Sequence, residues 1–375
     1  MNKVRTDHRG YATTGKPAKG CLMCVRGEKL VLFITGLCGK RCYYCPVSEK
    51  KFGVDEIYAN EWKIENDKDL MEEIRLTDAK GAGITGGDPL VTLEKTCNYI
   101  RFLKKEKGKH FHIHLYTPLK LVTPESLKEL HEAGLDEIRF HPEVENESEW
   151  PKIKLAKKYH WDIGIEIPCV PGKEKETKKL IDYIEEKVDF INLNELEVSD
   201  TEVEHYQMQE HRTRDETTYA VEGSREMAMN LLEYAKEKKY TSYFCSAMLK
   251  DSTQMGERIK RRAKMVKKEF DKVTPEGMLI RGAIYYEKLA PGVEYRHRLA
   301  NADKKEIIEK LIKAEEDVKK LKIRYLEIDK DKLRLLTSKK EVIRLAKKIH
   351  QLGLIPAIVE EYPTKDGTEI EIELL

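Results

Sequence analysis

The chain has 375 residues, long enough for two or three domains with full cores. Lysine and arginine number 69 against 67 aspartates and glutamates, so a net charge of +2 argues for neither an acidic nor a basic partner by itself. The longest apolar run, around 30–37, falls far short of the ~20 residues that span a bilayer, which excludes a membrane segment.

Eight cysteines without a secretory signal fit a reducing cytoplasm, where thiols serve metals rather than bridges. Charged residues make up 36% of the chain against roughly 25% in an ordinary domain. The surplus is lysine and glutamate, as on a thermophile's surface.

An N-terminal segment, 1–28, ends in the pair Cys21-Leu-Met-Cys24. From residue 29 short β-branched runs alternate with helical ones. Strands are expected at 29–35, 81–85, 110–116, 137–141, 162–168 and 190–193, with a weaker one at 241–245. Helices are expected at 67–76, 93–107, 124–133 and 174–186, with Thr123-Pro124 as an N-cap and Gly134 as a C-cap. Strict alternation predicts parallel strands joined by right-handed crossovers. Six units make an α/β fold, an open, TIM-like partial (β/α)6 barrel over 29–250, whose reacting groups belong at the C-terminal strand ends. Cys38, Gly86, His141, Cys169 and Glu195 all fall at such ends.

Residues 251–274 read as a basic linker helix. Seven positive charges within 258–268 suit either a polyanion patch or a solvated face with Ile259, Ala263 and Val266 turned inward. From 275 to 375 the order is strand 277–286, helix 304–320, strands 323–328 and 332–336, helix 339–352 and strand 357–362, with a last strand at 368–374. Ser338 is placed to cap the second of these helices and Gly353 to end it. The order β-α-β-β-α-β is the ferredoxin-like α+β unit, which decides no function.

The most informative stretch is Cys38-Gly-Lys-Arg-Cys42-Tyr-Tyr-Cys45, directly after the first strand. Three thiolates gathered in one short loop suit iron–sulfur ligation. An odd thiol count does not make disulfides. Zinc prefers four ligands in separated pairs, and no second pair follows at the usual spacing. Three ligands are one short of a cubane, which leaves one iron open to a group other than protein.

C-x3-C-x2-C after a first barrel strand resembles the signature of the radical S-adenosylmethionine (radical SAM) enzymes, and other segments match in order over about residues 20–250. Tyr44 stands where the family places an aromatic near adenine. Gly86-Gly87-Asp88-Pro89 resembles the Gly-Gly-Glu-Pro that meets the methionine amino group, with Asp88 one methylene shorter than the usual glutamate. Residues 165–172 and 190–195 are similar to the fifth- and sixth-strand segments beside adenine and ribose. The nearest flavour is the branch related to pyruvate formate-lyase activating enzymes, within it an archaeal group that shares the Cys21-Leu-Met-Cys24 lead-in.

The resemblance implies a 4Fe–4S cluster on Cys38, Cys42 and Cys45. It implies S-adenosylmethionine held by Tyr44, Gly86, Gly87 and Asp88 with help from Glu166 or Glu195, and an electron donor such as ferredoxin or flavodoxin. A 5′-deoxyadenosyl radical would then take hydrogen from a substrate, in an oxidoreductase or transferase reaction. The substrate is open: an RNA such as tRNA to be modified, a protein to receive a glycyl radical, or a small metabolite. The rival reading is a non-catalytic iron–sulfur or zinc protein that binds nucleic acid.

Other polar residues carry two readings each. Cys21 and Cys24, completed by Cys245, are a candidate second metal site or ordinary thiols. Cys97 reads as a small core residue in a helix, and Cys169 as packing beside the adenine segment. His112 and His114 share a strand face near His141 and Arg139, as substrate contacts or as satisfied structural groups. No side chain declares itself as the catalytic one.

Overall fold

The computed structural model describes residues 3–198, 208, 211–216 and 218–375. It divides into two compact units, Met1–Arg258 and Ile259–Leu375.

In chain order the first unit runs β1 (Arg5–Thr6), β2 (Tyr11–Thr13), α1 (Lys19–Val25), β3 (Lys29–Phe33), β4 (Tyr58–Ala59), β5 (Trp62–Lys63), α2 (Asp67–Leu76), β6 (Gly81–Thr85), α3 (Leu93–Lys107) and β7 (His112–Pro118). There follow α4 (Pro124–Ala133), β8 (Glu137–His141), β9 (Asp162–Cys169), α5 (Glu174–Tyr183), β10 (Phe190–Glu195), α6 (Ser224–Ala235) and β11 (Thr241–Cys245). Among the described residues these strands form one sheet in the order β1-β2-β11-β10-β9-β8-β7-β6-β3-β4-β5. From β3 to β11 neighbours are parallel, and the hairpins β1–β2 and β4–β5 pair antiparallel at the two edges. The hairpins cover edges that would otherwise offer unpaired backbone groups.

Local chemistry sets the boundaries. Asn66 accepts from the N–H groups of Lys68 and Asp69 at the start of α2. Thr123 and Ser126 form a reciprocal capping box at α4, with Pro124 at its first position and Gly134 closing it at φ 101°. The β8–β9 crossover departs from the pattern: residues Glu147–Lys158 form 3-10 turns containing Pro151, which removes an N–H and blocks a regular helix.

Alternate strand residues divide the unit into two environments. Leu30, Leu32, Ile84, Ile113, Leu115, Ile138, Phe140, Ile165, Ile191 and Leu193 face the helices and build the main core with Leu70, Ile100, Leu130, Ile181 and Leu231. The opposite residues, Lys29, His112, His114, Glu137, Arg139, Glu166 and Asn192, turn inward, and all but Glu166 are at most 5% exposed. The barrel interior is therefore polar, and α1 reaches into it: a Cβ on Gly20 would lie 2.5 Å from Nη2 of Arg139 and 2.8 Å from Nδ1 of His114.

The helix α7 (Gly256–Val266) buries Ile259, Arg262 and Ala263. The second unit continues with β12 (Lys272–Val273), β13 (Leu279–Tyr286), α8 (Tyr295–Ala300), α9 (Lys304–Lys320), β14 (Glu327–Asp329), β15 (Arg334–Thr337), α10 (Lys339–Gln351), β16 (Leu354–Glu361) and β17 (Glu369–Leu374). Its antiparallel sheet runs β14-β15-β13-β16-β17, with β12 on β13, so the split β-α-β unit expected from the sequence is present. Ser338 caps α10, and Gly353 follows it at φ 74°.

Candidate functional site

The cysteine loop begins where β3 ends. Gly36 donates to Val54 O at 2.8 Å and Gly53 to Gly36 O at 2.9 Å, closing the neck of a loop that presents Cys38, Cys42 and Cys45. All three cysteines are half-buried and free of disulfides. Burial, and then the proximity of Cys45 and Cys38, push the Cys42 thiol up to about 11. Burial also raises Cys38, against the Lys40 N–H, with Asp88 and Cys45 adding to the rise. The three sulfurs feel one another, so a bound cation would favour the thiolates.

Among the described residues the three thiols are not grouped as a single-ion site. A cubane presents its irons at separate corners, so thiolates spread along one short loop can each take one.

The Gly-Gly-Asp turn after β6 is fastened to this loop. Gly87 N–H donates to Thr35 O and Asp88 N–H to Leu37 O, both at 2.8 Å. Gly86 has φ 145°, and a Cβ there would lie 2.2 Å from Thr35 O; one on Gly87 would lie 2.3 Å from Leu37 O. Only glycines allow this approach. Asp88 is 2% exposed. Its Oδ1 accepts from Leu90 N at 3.0 Å and from Thr117 Oγ1 at 2.8 Å. Burial raises its carboxyl above the ordinary value, against those two donors. The sequence pattern offered no signal for Thr117, whose role depends on β7 lying beside β6.

Tyr44 is half-buried and bonded to Nε2 of His141 at 2.9 Å. Nδ1 of His141 meets Glu166 O at 2.8 Å, which places the ring proton on Nδ1 and makes Tyr44 the donor to Nε2. Burial lowers the His141 pKa, so the ring stays neutral. Tyr43 and Tyr44 pack on an apolar patch of Val170, Leu196, Met208 and Val221 beyond the ends of β9 and β10.

Glu166 and Glu195 occupy different places. Glu166 faces the interior, accepting from Arg139 Nη1 and Asn192 Nδ2 at 2.8 Å and from Asn194 Nδ2 at 3.0 Å. Burial works against its charge, but Arg139 and the two amides hold the carboxyl below its ordinary value. Glu195 lies on the other face of β10, accepting from Ala247 N at 2.8 Å and Arg214 Nη1 at 3.1 Å.

Cys21 and Cys245 pack together with Val25, Tyr243 and Leu249. Cys21 Sγ accepts from Asn192 at 3.2 Å and Arg139 at 3.4 Å. Cys24 is half-buried, and among the described residues these three sulfurs do not meet within the reach of one ion. Cys97 is buried on α3, and Cys169 is fully buried at the end of β9.

An open (β/α) barrel with a three-cysteine loop at its carboxyl end defines a class of protein, and comparison with known proteins makes it specific. The model of the Radical SAM superfamily matches residues 32–162. A Methanocaldococcus jannaschii protein, provisionally named a glycyl-radical enzyme activating enzyme, is 42% identical over 281 residues, covering 72% of this chain and 74% of its own. Among solved structures, Streptococcus suis SuiB bound to S-adenosylmethionine aligns at 12% identity with a TM-score of 0.41, over 58% of this chain and 50% of SuiB. Methylornithine synthase aligns at 13% identity with a TM-score of 0.38, over 59% of this chain and 71% of that one. The chain thus spans about half the length of SuiB.

The chain belongs to the radical SAM superfamily, whose members work with a 4Fe–4S cluster and S-adenosylmethionine. No described helix is long and apolar enough to cross a membrane.

Proposed function

We propose that this chain generates a substrate radical by radical SAM chemistry and that its substrate is a glycine residue of a partner protein. Cys38, Cys42 and Cys45 would hold the cluster. When bound, cluster and S-adenosylmethionine together supply an electron from an external donor of the ferredoxin or flavodoxin kind and a carbon radical that removes one hydrogen atom from the substrate.

The observation that carries the reading is the fastening of Gly87 and Asp88 to Thr35 and Leu37. It spends the N–H groups of Gly87 and Asp88 on the cysteine loop, and since the Asp88 carbonyl already accepts from Val91 N–H, the glycine carbonyls are the ones that would serve as acceptors for an ammonium. The Asp88 carboxylate, anchored through Oδ1 by Leu90 and Thr117, keeps Oδ2 for the same cation. This is how a shorter side chain serves in place of glutamate. The apolar patch beside Tyr44 suits an adenine ring, and the neutral His141 fixes the angle of Tyr44.

The choice of a protein substrate rests on the likeness to the M. jannaschii relative. The basic stretch lends RNA no comparable support. Arg258 pairs with Glu61, Lys268 with Glu327, and Arg262 is buried and donates to Pro363 O.

Anaerobic reconstitution with iron and sulfide is expected to load about four irons on the cysteine loop. Addition of dithionite and S-adenosylmethionine then releases 5′-deoxyadenosine. An extract of cells grown on α-deuterated glycine tests the substrate: deuterium should enter the 5′-deoxyadenosine, resist ribonuclease and vanish after proteolysis. No 5′-deoxyadenosine at all would overturn the activity, and transfer destroyed by ribonuclease would overturn the protein substrate.

A further inference from the structure

At the amino end of the barrel, opposite the cysteine loop, the inward residues His112, Glu137 and Asp162 converge. One ligand atom from each lies within 4.8 Å of the other two. His112 and Glu137 are buried, at 3% and 0% exposed, and Asp162 reaches the surface. We propose that these three side chains form a divalent-cation site for zinc, independent of the cluster.

Four features of the geometry support it. Nε2 of His112 is buried with no hydrogen-bond partner, which is costly unless something else satisfies it. It stands 3.5 Å from Oε2 of Glu137. Two donors bound to one zinc at about 2.0–2.2 Å and at the tetrahedral angle lie about 3.4 Å apart, so this separation is long for a hydrogen bond and right for shared coordination.

The ring is also held for the purpose. Lys29 Nζ meets Nδ1 of His112 at 2.7 Å and donates to the His112 and Ala82 carbonyls at 2.7 and 3.1 Å. The two carbonyls take two N–H groups of the lysine, so as a neutral amine it accepts the Nδ1–H of His112 and leaves Nε2 its lone pair, aimed at the carboxylates. Glu137 is fixed by Arg139 on Oε1 at 2.6 Å and by Gly20 N–H on Oε2 at 3.1 Å, and a carboxylate oxygen keeps a second lone pair for a metal.

Four carboxylates, Asp162, Glu137, Asp189 and Asp136, stand against four basic side chains around His112, namely Lys19, Lys29, Lys104 and Arg139. A cavity of about 300 Å³ bordered by Asp162, Asp189, Lys19 and Thr241 opens beside Asp162, the exposed member of the three. Zinc with three protein ligands would take water as its fourth. At the amino end of a barrel such a site serves stability rather than chemistry. Through Glu137 it would fasten α1, whose Gly20 N–H that carboxylate already holds.

The test uses the full-length, cluster-loaded protein and zinc as the probe, in competition with a coloured chelator. One equivalent is expected, bound through nitrogen and oxygen, so cobalt substitution should give d–d bands without a thiolate charge-transfer band. Asp162→Asn, at an exposed strand start, and His112→Gln should each weaken zinc about tenfold or more, since the loss of a ligand costs at least what the loss of an outer contact does. Zinc should raise the thermal midpoint of the parent protein and leave that of either variant unchanged. Unaltered zinc affinity in Asp162→Asn, a thiolate band with cobalt, or no zinc binding by the parent protein would each overturn the proposal. Asp162→Asn decides the matter even if His112→Gln fails to fold.

Discussion

The two ends of the barrel are built from opposite materials. The carboxyl end is loop backbone, two glycines packed on a peptide chain and three half-buried thiols. The amino end and the interior above it are regular strands carrying buried polar and charged groups: Lys29, His112, Glu137 and Arg139. Loops can set reactive groups at distances no regular element offers, whereas strands hold a charged network rigidly enough to offset its desolvation. Damage at the first end should therefore remove chemistry and spare the fold, and damage in the interior should do the reverse.

The hardest test of that division is Cys42→Ala. It removes one of the three proposed iron ligands, so cluster absorbance and 5′-deoxyadenosine release should fall to background. The thermal midpoint of the cluster-free protein should stay within the shift expected for about 0.5 kcal/mol, because a half-buried thiol contributes little packing. Unfolding of the cluster-free variant would mean that the loop is structural.

Arg139→Met probes the interior. The guanidinium bonds Glu137, Glu166 and Tyr116, and its removal leaves one buried and one half-buried carboxylate without their cation. A loss of about 3–5 kcal/mol is expected in urea unfolding of the cluster-free protein. Glu137→Gln in the Arg139→Met background should recover part of it by removing one uncompensated charge. A loss below about 1 kcal/mol would show that water has replaced the arginine and that the interior is not the rigid half of the comparison.

This contrast also separates what the sequence reveals from what it hides. Strands 81–85, 137–141 and 241–245 and helices 67–76, 93–107 and 124–133 match the observed bounds, the helices because Asn66, Gly108 and the Thr123/Gly134 pair mark their ends. The cysteine loop and the Gly86-Gly87 turn are legible because their spacing is local. The polar interior is not: Lys29, Glu137 and Arg139 are separated by more than a hundred residues from first to last, and parallel register alone brings them together. The α1 plug is hidden for a related reason. Its seven residues carry no side-chain N-cap, and they are held by tertiary contacts such as Gly20 N–H on Glu137. Strand 110–116 shifts to His112–Pro118 because its end is set by pairing with β8, which extends through Pro118 and His141.

Gly87→Ala returns to the carboxyl end with a smaller expected effect. The new Cβ would lie 2.3 Å from Leu37 O, a backbone atom that cannot step aside without moving the cysteine loop. Displacement of a reacting group by about 1 Å costs about a hundredfold, so 5′-deoxyadenosine formation should drop by that order while iron content stays near that of the parent. Unchanged rates would mean that the turn and the loop move together.

Thr117→Val is the mildest change and the finest test, because Thr117 sits on a barrel strand but acts on the carboxyl end. The swap keeps the shape and deletes the hydroxyl that donates to Asp88 Oδ1 at 2.8 Å, while Leu90 N–H still holds the same oxygen. Hydrogen bonds to charged groups contribute about 1.5–3 kcal/mol, and with one donor left the lower figure applies. KM for S-adenosylmethionine should rise about tenfold with kcat nearly constant, since a loosened Asp88 weakens the grip on the amino group without touching the cluster ligands. Thr117→Ser, which keeps the hydroxyl, should restore most of the affinity. An equal fall in kcat for Val and Ser would assign the effect to packing on β7, and Thr117 would then belong with the interior rather than the site.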